Sequence, residues 1–336
     1  MKCVEIVATT GFEGLRVTER PTPKPGPRQV LVRMHAASFN WRDVQILRGS
    51  YVRGIPLPRI PLSDGAGEIV EVGSEVTRVK QGDRVCSTFF QTWMTGPVFA
   101  EAQDAALGGT AEGVLSEYVV LEGDGVIRFP EHLSFDEAAT LPCAALTAWH
   151  GLIEAGGMRA GDTALLLGTG GVSVFGLQLA RAAGANAIIT SSSDQKLERA
   201  KALGATGIVN YATNAKWPER VRELTGGRGA DHTLDVVGGE SSKGALEALR
   251  VGGHVAIIGS RSGAGNDLDR GLVLRKGLRV TGINIGSRAM FEAMNRAITA
   301  AKLKPMVDKT YPIDDAIAAY QDFAAGKHFG KVVVRI

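Results

Sequence analysis

Leu165-Leu166-Leu167-Gly168-Thr169-Gly170-Gly171-Val172-Ser173 reads as an apolar strand entering a helix through a glycine turn. Glycines let backbone N–H groups approach a pyrophosphate, and the helix that follows adds unpaired amide donors and the positive end of its dipole. The spacing departs from G-x-G-x-x-G, because Ser173 stands at the third glycine position. A glycine turn can also be a tight connection that binds nothing. Here the strand before it and the helix after it carry the reading. Gly168, Gly170, Gly171, Val172 and Ser173 are therefore candidate dinucleotide contacts.

The pattern alternates on both sides of this turn. A helix over 142–155 precedes the strand at 164–167, and a helix reaches residue 183. Strands follow at 187–190, 207–209, 232–236, 255–258 and 279–285, with helices at 195–203, 219–225 and 241–249 between them. All-apolar strands separated by helices predict a parallel sheet covered on both faces, the doubly wound Rossmann arrangement. Two helices (289–302 and 314–325) and a closing strand at 331–336 complete the chain, and that strand is expected to return to the first domain.

Residues 1–125 differ. Short apolar stretches such as VLVRMHAASF and EYVVLEG alternate with Gly- and Pro-rich turns, the pattern of an antiparallel β domain. The segment 91–113 has neither helical nor strand period and reads as a long loop. It carries Trp93, Met94 and Phe99 and follows Phe89 and Phe90, which could line an apolar pocket or anchor the loop.

At ~150 residues per domain, 336 residues suggest two domains, and α/β is the class. With 44% hydrophobic and 22% charged residues, disorder is excluded. A net charge of +3, with Lys and Arg interspersed, gives no reason to expect nucleic acid. Three distant cysteines argue against a disulfide framework and for a reducing compartment. No targeting or membrane-spanning segment is visible, so a cytoplasmic protein is expected.

The end of the second Rossmann strand bears on nucleotide choice. Ile189-Thr190-Ser191-Ser192-Ser193 ends without a carboxylate, and Lys196 and Arg199 follow. Hydroxyls and nearby cations suit a 2′-phosphate, which favours NADP(H). Asp194 has two readings: a helix cap or a ribose contact.

Together these residues resemble the medium-chain dehydrogenase/reductase superfamily over essentially the whole chain, most closely its quinone oxidoreductase-like branch. The resemblance is carried by Asn40-Trp41-Arg42-Asp43, Ser63-Asp64-Gly65-Ala66-Gly67, Val72-Gly73, Gly82-Asp83-Arg84-Val85, the segment from Leu141 to Trp149, the glycine turn, and His328-Phe329-Gly330-Lys331. It implies a GroES-like β-rich catalytic domain (1–125 and 303–336), a Rossmann NADP(H)-binding domain (126–302), an active site in the cleft, and a homodimer through the sheet edge near 279–285.

Zinc-dependent members hold their metal through Cys, His and Cys. The matching positions are Asn40, Ser63 and Cys143, so the resemblance implies no metal site. Zinc-free relatives place an Asn and a Tyr beside the nicotinamide, and Asn40 and Tyr51 match them. A second active-site Tyr of some relatives is Gln45 here. Ser63 is a further candidate donor. Thr147 and Val172 match positions that pack on the nicotinamide. Ile258-Gly259-Ser260 and Ile283-Asn284-Ile285 match the segments receiving its carboxamide. Tyr211 matches a 2′-phosphate contact, which adds to Ser191, Ser192 and Lys196. His35, His150, His232 and His254 read as packed neutral imidazoles.

The expected activity is zinc-independent hydride transfer from NADPH to a small conjugated carbonyl compound, a quinone or an enone. Two other readings stand beside it. One is an alcohol or aldehyde dehydrogenase with an atypical metal shell including Cys143, Asp43 or Asp64. The other is a non-enzymatic NADPH-binding sensor or RNA-associated protein.

Overall fold

The computed structural model describes residues 1–51, 54–259 and 268–336. In chain order, the first strands are β1 (Lys2–Ile6), β2 (Leu15–Glu19), β3 (Gln29–Ser38), β4 (Asp64–Val72), β5 (Arg84–Ser87), β6 (Tyr118–Glu122) and β7 (Val126–Arg128). The middle of the chain supplies β8 (Thr163–Leu166), β9 (Asn186–Ser191), β10 (Gly207–Asn210), β11 (Ala230–Asp235), β12 (Leu249–Ile257) and β13 (Arg279–Gly282). The end supplies β14 (Val307–Pro312) and β15 (Lys331–Arg335).

The chain divides into two compact units, Met1–Ala144 with Gly286–Ile336, and Ala145–Ile285. These borders differ from the expected 125/126 and 302/303. The segment after residue 125 stays with the first unit because β7 pairs with β5. The Arg288–Ala301 helix stays there too, since Asn295 donates to the Arg128 carbonyl and Arg288 pairs with Asp124.

The first unit is built on a sheet ordered β14-β15-β3-β4-β5-β7, with β6 also on β3. Its strands pair antiparallel apart from β14 with β15. β15 lies against β3, so the last strand does return to the first domain. The segment 91–113 is more ordered than its lack of period suggested. It contains a 3₁₀ turn at Ala100–Ala105 and is pinned at Phe90 opposite Ala106. Phe89, Phe90 and Trp93 are buried and pack edge-on and tilted against one another, so they anchor the loop. Phe99 is half-exposed.

The second unit holds a six-stranded parallel sheet ordered β10-β9-β8-β11-β12-β13. Counted within the unit this is 3-2-1-4-5-6, the doubly wound dinucleotide-binding order. Every residue of β8 and β11 is buried, as central strands covered on both faces must be. β13 ends at Gly282, short of the expected 285; by Ile285 the chain has turned to a left-handed φ of 49°. Gly176, in the Gly171–Ala182 helix, is where that helix comes closest to the sheet: a Cβ there would stand 2.7 Å from Leu166 Cδ2 and 3.0 Å from Leu234 Cδ1.

All four of the histidines expected to be packed and neutral have pKa values lowered by burial. His232 and His254 lie opposite each other on β11 and β12, with Arg279 next on β13. Burial pushes His254 down to about 4, and the charges of Arg279 and His232 act in the same direction. The unfolded chain takes up a proton near pH 6.5, whereas the folded one resists to about 4. Stability is therefore intact above 6.5 and declines as the pH falls towards 4. Thermal melts from pH 7 to pH 4.5 should show this decline, and His254→Gln should make it shallower. An unchanged slope would remove His254 as its source.

Candidate functional site

In the first unit the antiparallel register brings distant residues together. Ser38, at the end of β3, faces Asp64 at the start of β4 and Val333 near the start of β15. Asn40, Ser63, Asp64 and Lys331 therefore converge at one end of the sheet, although they span almost the whole sequence. Asn40 is also the N-cap of the Trp41–Leu47 helix. Its backbone N–H donates to Asp43 Oδ2 (2.7 Å), and its backbone carbonyl accepts from Asp43 N–H (3.0 Å).

Lys331 is 2% exposed and donates to the Phe39 carbonyl (2.6 Å) and to Asn40 Oδ1 (2.8 Å). Asp64 Oδ2 lies 3.7 Å from the ammonium and accepts the Cys143 backbone N–H (3.1 Å). Ser63 Oγ donates to Asp64 Oδ1 (2.7 Å). Burial pushes the Asp43 carboxyl up to about 6, opposed by Arg42, by the Asn40 amide and by Lys331, while Asp64 pushes it the same way. Arg42, also buried, donates to the Leu107 carbonyl (2.9 Å) and lies over the rings of Phe89 and Tyr51, 4.6 and 5.2 Å from their centres. Tyr51 is half-exposed, and its link to the cluster runs through Arg42.

Four buried polar atoms of the cluster have no hydrogen-bond partner among the described residues: Arg42 Nε and Nη2, Asp43 Oδ1 and Asn40 Nδ2. Asn40 thus carries an N–H donor with no partner among those residues. Ser63, by contrast, already donates to Asp64, so its hydroxyl is spent within the cluster.

The three positions that hold zinc in metal-dependent relatives do not fit that ion. They present an amide facing an ammonium, a hydroxyl donating to a carboxylate, and a thiol. Burial, helped by the nearby Asp64 charge, raises the Cys143 pKa above the usual thiol value. Zinc takes thiolate, imidazole or carboxylate. Among the described residues no group of three or more His, Cys, Asp or Glu is arranged to hold a metal.

In the second unit the glycine turn leaves β8 beside β9. Gly168, at φ 78°, donates its N–H to Thr190 Oγ1 (3.2 Å), and a Cβ at Gly168 or Gly170 would meet nothing within 4 Å among the described residues. Open space above the turn, with the first amides of the Gly171–Ala182 helix behind it, fits a pyrophosphate. Ser173 turns inward and donates to the Leu167 carbonyl (2.7 Å), so its hydroxyl braces the turn. The close helix–sheet approach expected of the third glycine falls one turn later, at Gly176.

At the ends of β9 and β10, the Tyr211 N–H donates to the Ser191 carbonyl (3.1 Å), and Ser191 Oγ accepts the Ser193 N–H (3.2 Å). Ser192 is exposed and Lys196 half-buried. Ser193 caps the Asp194–Ala202 helix, so Asp194 is not the cap; its carboxylate accepts from Asn210 Nδ2 (2.7 Å). Thr147 is buried and Val172 half-buried. The N–H groups of Ile258 and Gly259 go to the Asp235 carbonyl, and that of Ile283 to Ile257. The Ile285 carbonyl meets His150 Nδ1 (2.9 Å), and Asn284 is half-buried. Ser260 lies outside the described residues.

Two members of the cluster, Arg42 and Lys331, have no role assigned from the sequence, and Asp64 enters there only as a ligand of the atypical metal shell. The available signal was Lys331 itself, a cation opening the otherwise apolar run Val332-Val333-Val334.

Comparisons with known proteins bear on both units. The model of the alcohol dehydrogenase GroES-like domain matches residues 26–131, and that of the zinc-binding dehydrogenases matches 171–300. A zinc-type alcohol dehydrogenase-like protein of Schizosaccharomyces pombe is 40% identical over 97% of this chain and 96% of its own. A quinone oxidoreductase of Pseudomonas aeruginosa is 30% identical over 99% of each. The crystal structure of an NAD-dependent alcohol dehydrogenase superposes with a TM-score of 0.91 at 36% identity, covering all of both chains. With both halves of the chain matched in order and full-length relatives at this level of identity, the chain belongs to the medium-chain dehydrogenase/reductase superfamily and is an oxidoreductase of it.

Proposed function

We propose that this oxidoreductase uses NADPH to reduce a conjugated carbonyl compound, a quinone or an enone, without zinc. The observation that carries the proposal is the pairing of an unfilled Asn40 Nδ2 donor with a cluster whose donor set does not suit a metal. When bound, the reduced nicotinamide supplies a hydride to the conjugated system, and water supplies the proton that completes the reduction. Asn40 donates to the substrate oxygen as negative charge grows there. Tyr51 orients the substrate from its exposed position over Arg42. Conjugation spreads the developing charge, so one preorganised donor suffices where a simple ketone needs a Lewis acid.

For the nucleotide, the Ser191 and Ser192 region, Lys196 and Tyr211 favour a 2′-phosphate, and Asp194 is held by Asn210. The resemblance to a quinone oxidoreductase agrees with the substrate class. The resemblance to an NAD-dependent enzyme makes the ratio of NADPH to NADH affinity the quantity to measure. The same reading makes the protein a cytoplasmic homodimer joined along the β13 edge, where Val280 is half-exposed. No described helix is long and apolar enough to cross a membrane.

Product analysis tests this reading. Incubated with NADPH and 2-cyclohexenone, the protein should form cyclohexanone equally with and without a strong chelator. Cyclohexenol formed only without chelator would establish a metal-assisted carbonyl reductase instead. Tight NADPH binding with no turnover of quinones, enones or aldehydes would favour a sensor.

A further inference from the structure

We propose that Lys331 is the positioning residue of the first unit's site: its ammonium fixes the Asn40 carboxamide so that the Nδ2 donor is presented to the substrate oxygen. The inference rests on the reading of Asn40 as a group that touches substrate. It adds a residue on the last strand, some 290 positions away in sequence, that grips the carboxamide oxygen in addition to the Asn40–Asp43 capping box.

A lysine amine withdrawn from water is costly unless its N–H groups find acceptors. Here the Phe39 carbonyl and Asn40 Oδ1 accept, and Asp64 supplies a countercharge at 3.7 Å. The chemistry of the pair settles the amide's orientation. An ammonium only donates, so the Asn40 atom facing it has to be the oxygen; a flipped amide would set donor against donor. Asn40's backbone N–H and carbonyl are both committed to Asp43. Nδ2 is the remaining polar atom, buried and without a partner among the described residues. A buried N–H left unmet is costly, and an incoming carbonyl oxygen recovers that cost. Asp64 cannot swing away to quench Lys331 more closely, because the Ser63 hydroxyl and the Cys143 N–H hold one oxygen each.

A lysine that merely joined β15 to β3 would affect stability and leave Asn40 indifferent to it. A double-mutant cycle separates the two roles. The variants are K331M, K331Q, N40A and K331M/N40A, with NADPH titration confirming that each folds. Each is assayed with NADPH on 2-cyclohexenone, 1,4-benzoquinone and benzaldehyde, and kcat is compared on the wild type's best substrate. K331M should lower kcat about tenfold or more, with KM and NADPH affinity moving less than about threefold. On the N40A background the same change should cost less than about twofold. K331Q retains an N–H for Asn40 Oδ1 and should recover part of the loss; if K331M does not fold, K331Q is read alone and in combination with N40A.

Equal losses from the Lys331 change with and without Asn40, or no loss at all, would overturn the inference and leave the proposed function standing. A wild type active only on benzaldehyde, with the coupling intact, would sink the conjugated-carbonyl reading and leave Lys331 in place. A wild type that turns over none of the three carbonyls would overturn both.

Discussion

Gly170→Glu is expected to leave the fold intact and to weaken NADPH binding by about two orders of magnitude or more. The two halves of that result have separate causes. Gly170 has φ −79° and ψ −178°, an extended conformation open to any residue, and a Cβ there would meet nothing within 4 Å among the described residues. The new carboxylate would also lie at the N-terminus of the Gly171–Ala182 helix, where a negative charge is stabilising by ~0.3–1 kcal/mol. The melting temperature should hold or rise slightly. The same carboxylate occupies the ground of the pyrophosphate. Two like charges 4 Å apart repel by ~4 kcal/mol at the effective dielectric of a protein surface, close to a thousandfold in affinity. Fluorescence titration with NADPH, run beside a thermal melt, checks both halves. Unchanged affinity would show that the nucleotide does not use this turn.

Gly176→Leu should do the reverse and damage the fold directly. Its Cβ alone would sit closer to Leu166 Cδ2 than real contacts allow and tight against Leu234 Cδ1, and three further carbons have to be fitted beyond it. Overpacking of a tight core costs ~1–3 kcal/mol and more where the backbone itself must move. At ~2–4 °C per kcal/mol for a unit of this size, a loss of about 10 °C in melting temperature is expected. Gly176→Ala should lose less, because the two leucine side-chain ends can shift by tenths of an ångström. If Gly176→Leu melts with the wild type, the helix does not rest on β8 and β11 at this position.

These two glycines show how unevenly the site could be read in advance. The turn at 168–173 was legible because strand, glycines and helix are contiguous, and the physics of each is local. Gly176 was not, because its role depends on Leu234, which joins the site only once β11 has come to lie beside β8. Asp194 illustrates the same divide. Its position beside the second strand was plain, but whether it caps the helix depended on Ser193, and its partner Asn210 sits at the end of another strand. Phe89, Phe90 and Trp93 fitted either a pocket or an anchor until their burial decided for the anchor.

By itself, then, the amino-acid sequence determined the α/β class, the strand–glycine turn–helix unit, the return of the final strand and the family. Each of these is written in patterns of a few consecutive residues or in the order of motifs along the chain. Only the tertiary structure decided that Lys331 holds Asn40, that Ser63 spends its hydroxyl on Asp64, and that the units divide at 144/145 and 285/286. The physical reason is that hydrogen bonds and burial depend on distance in space. The antiparallel register of β15, β3 and β4 closes gaps of up to 299 residues, the separation of Ala36 and Arg335, that no local pattern in the chain records.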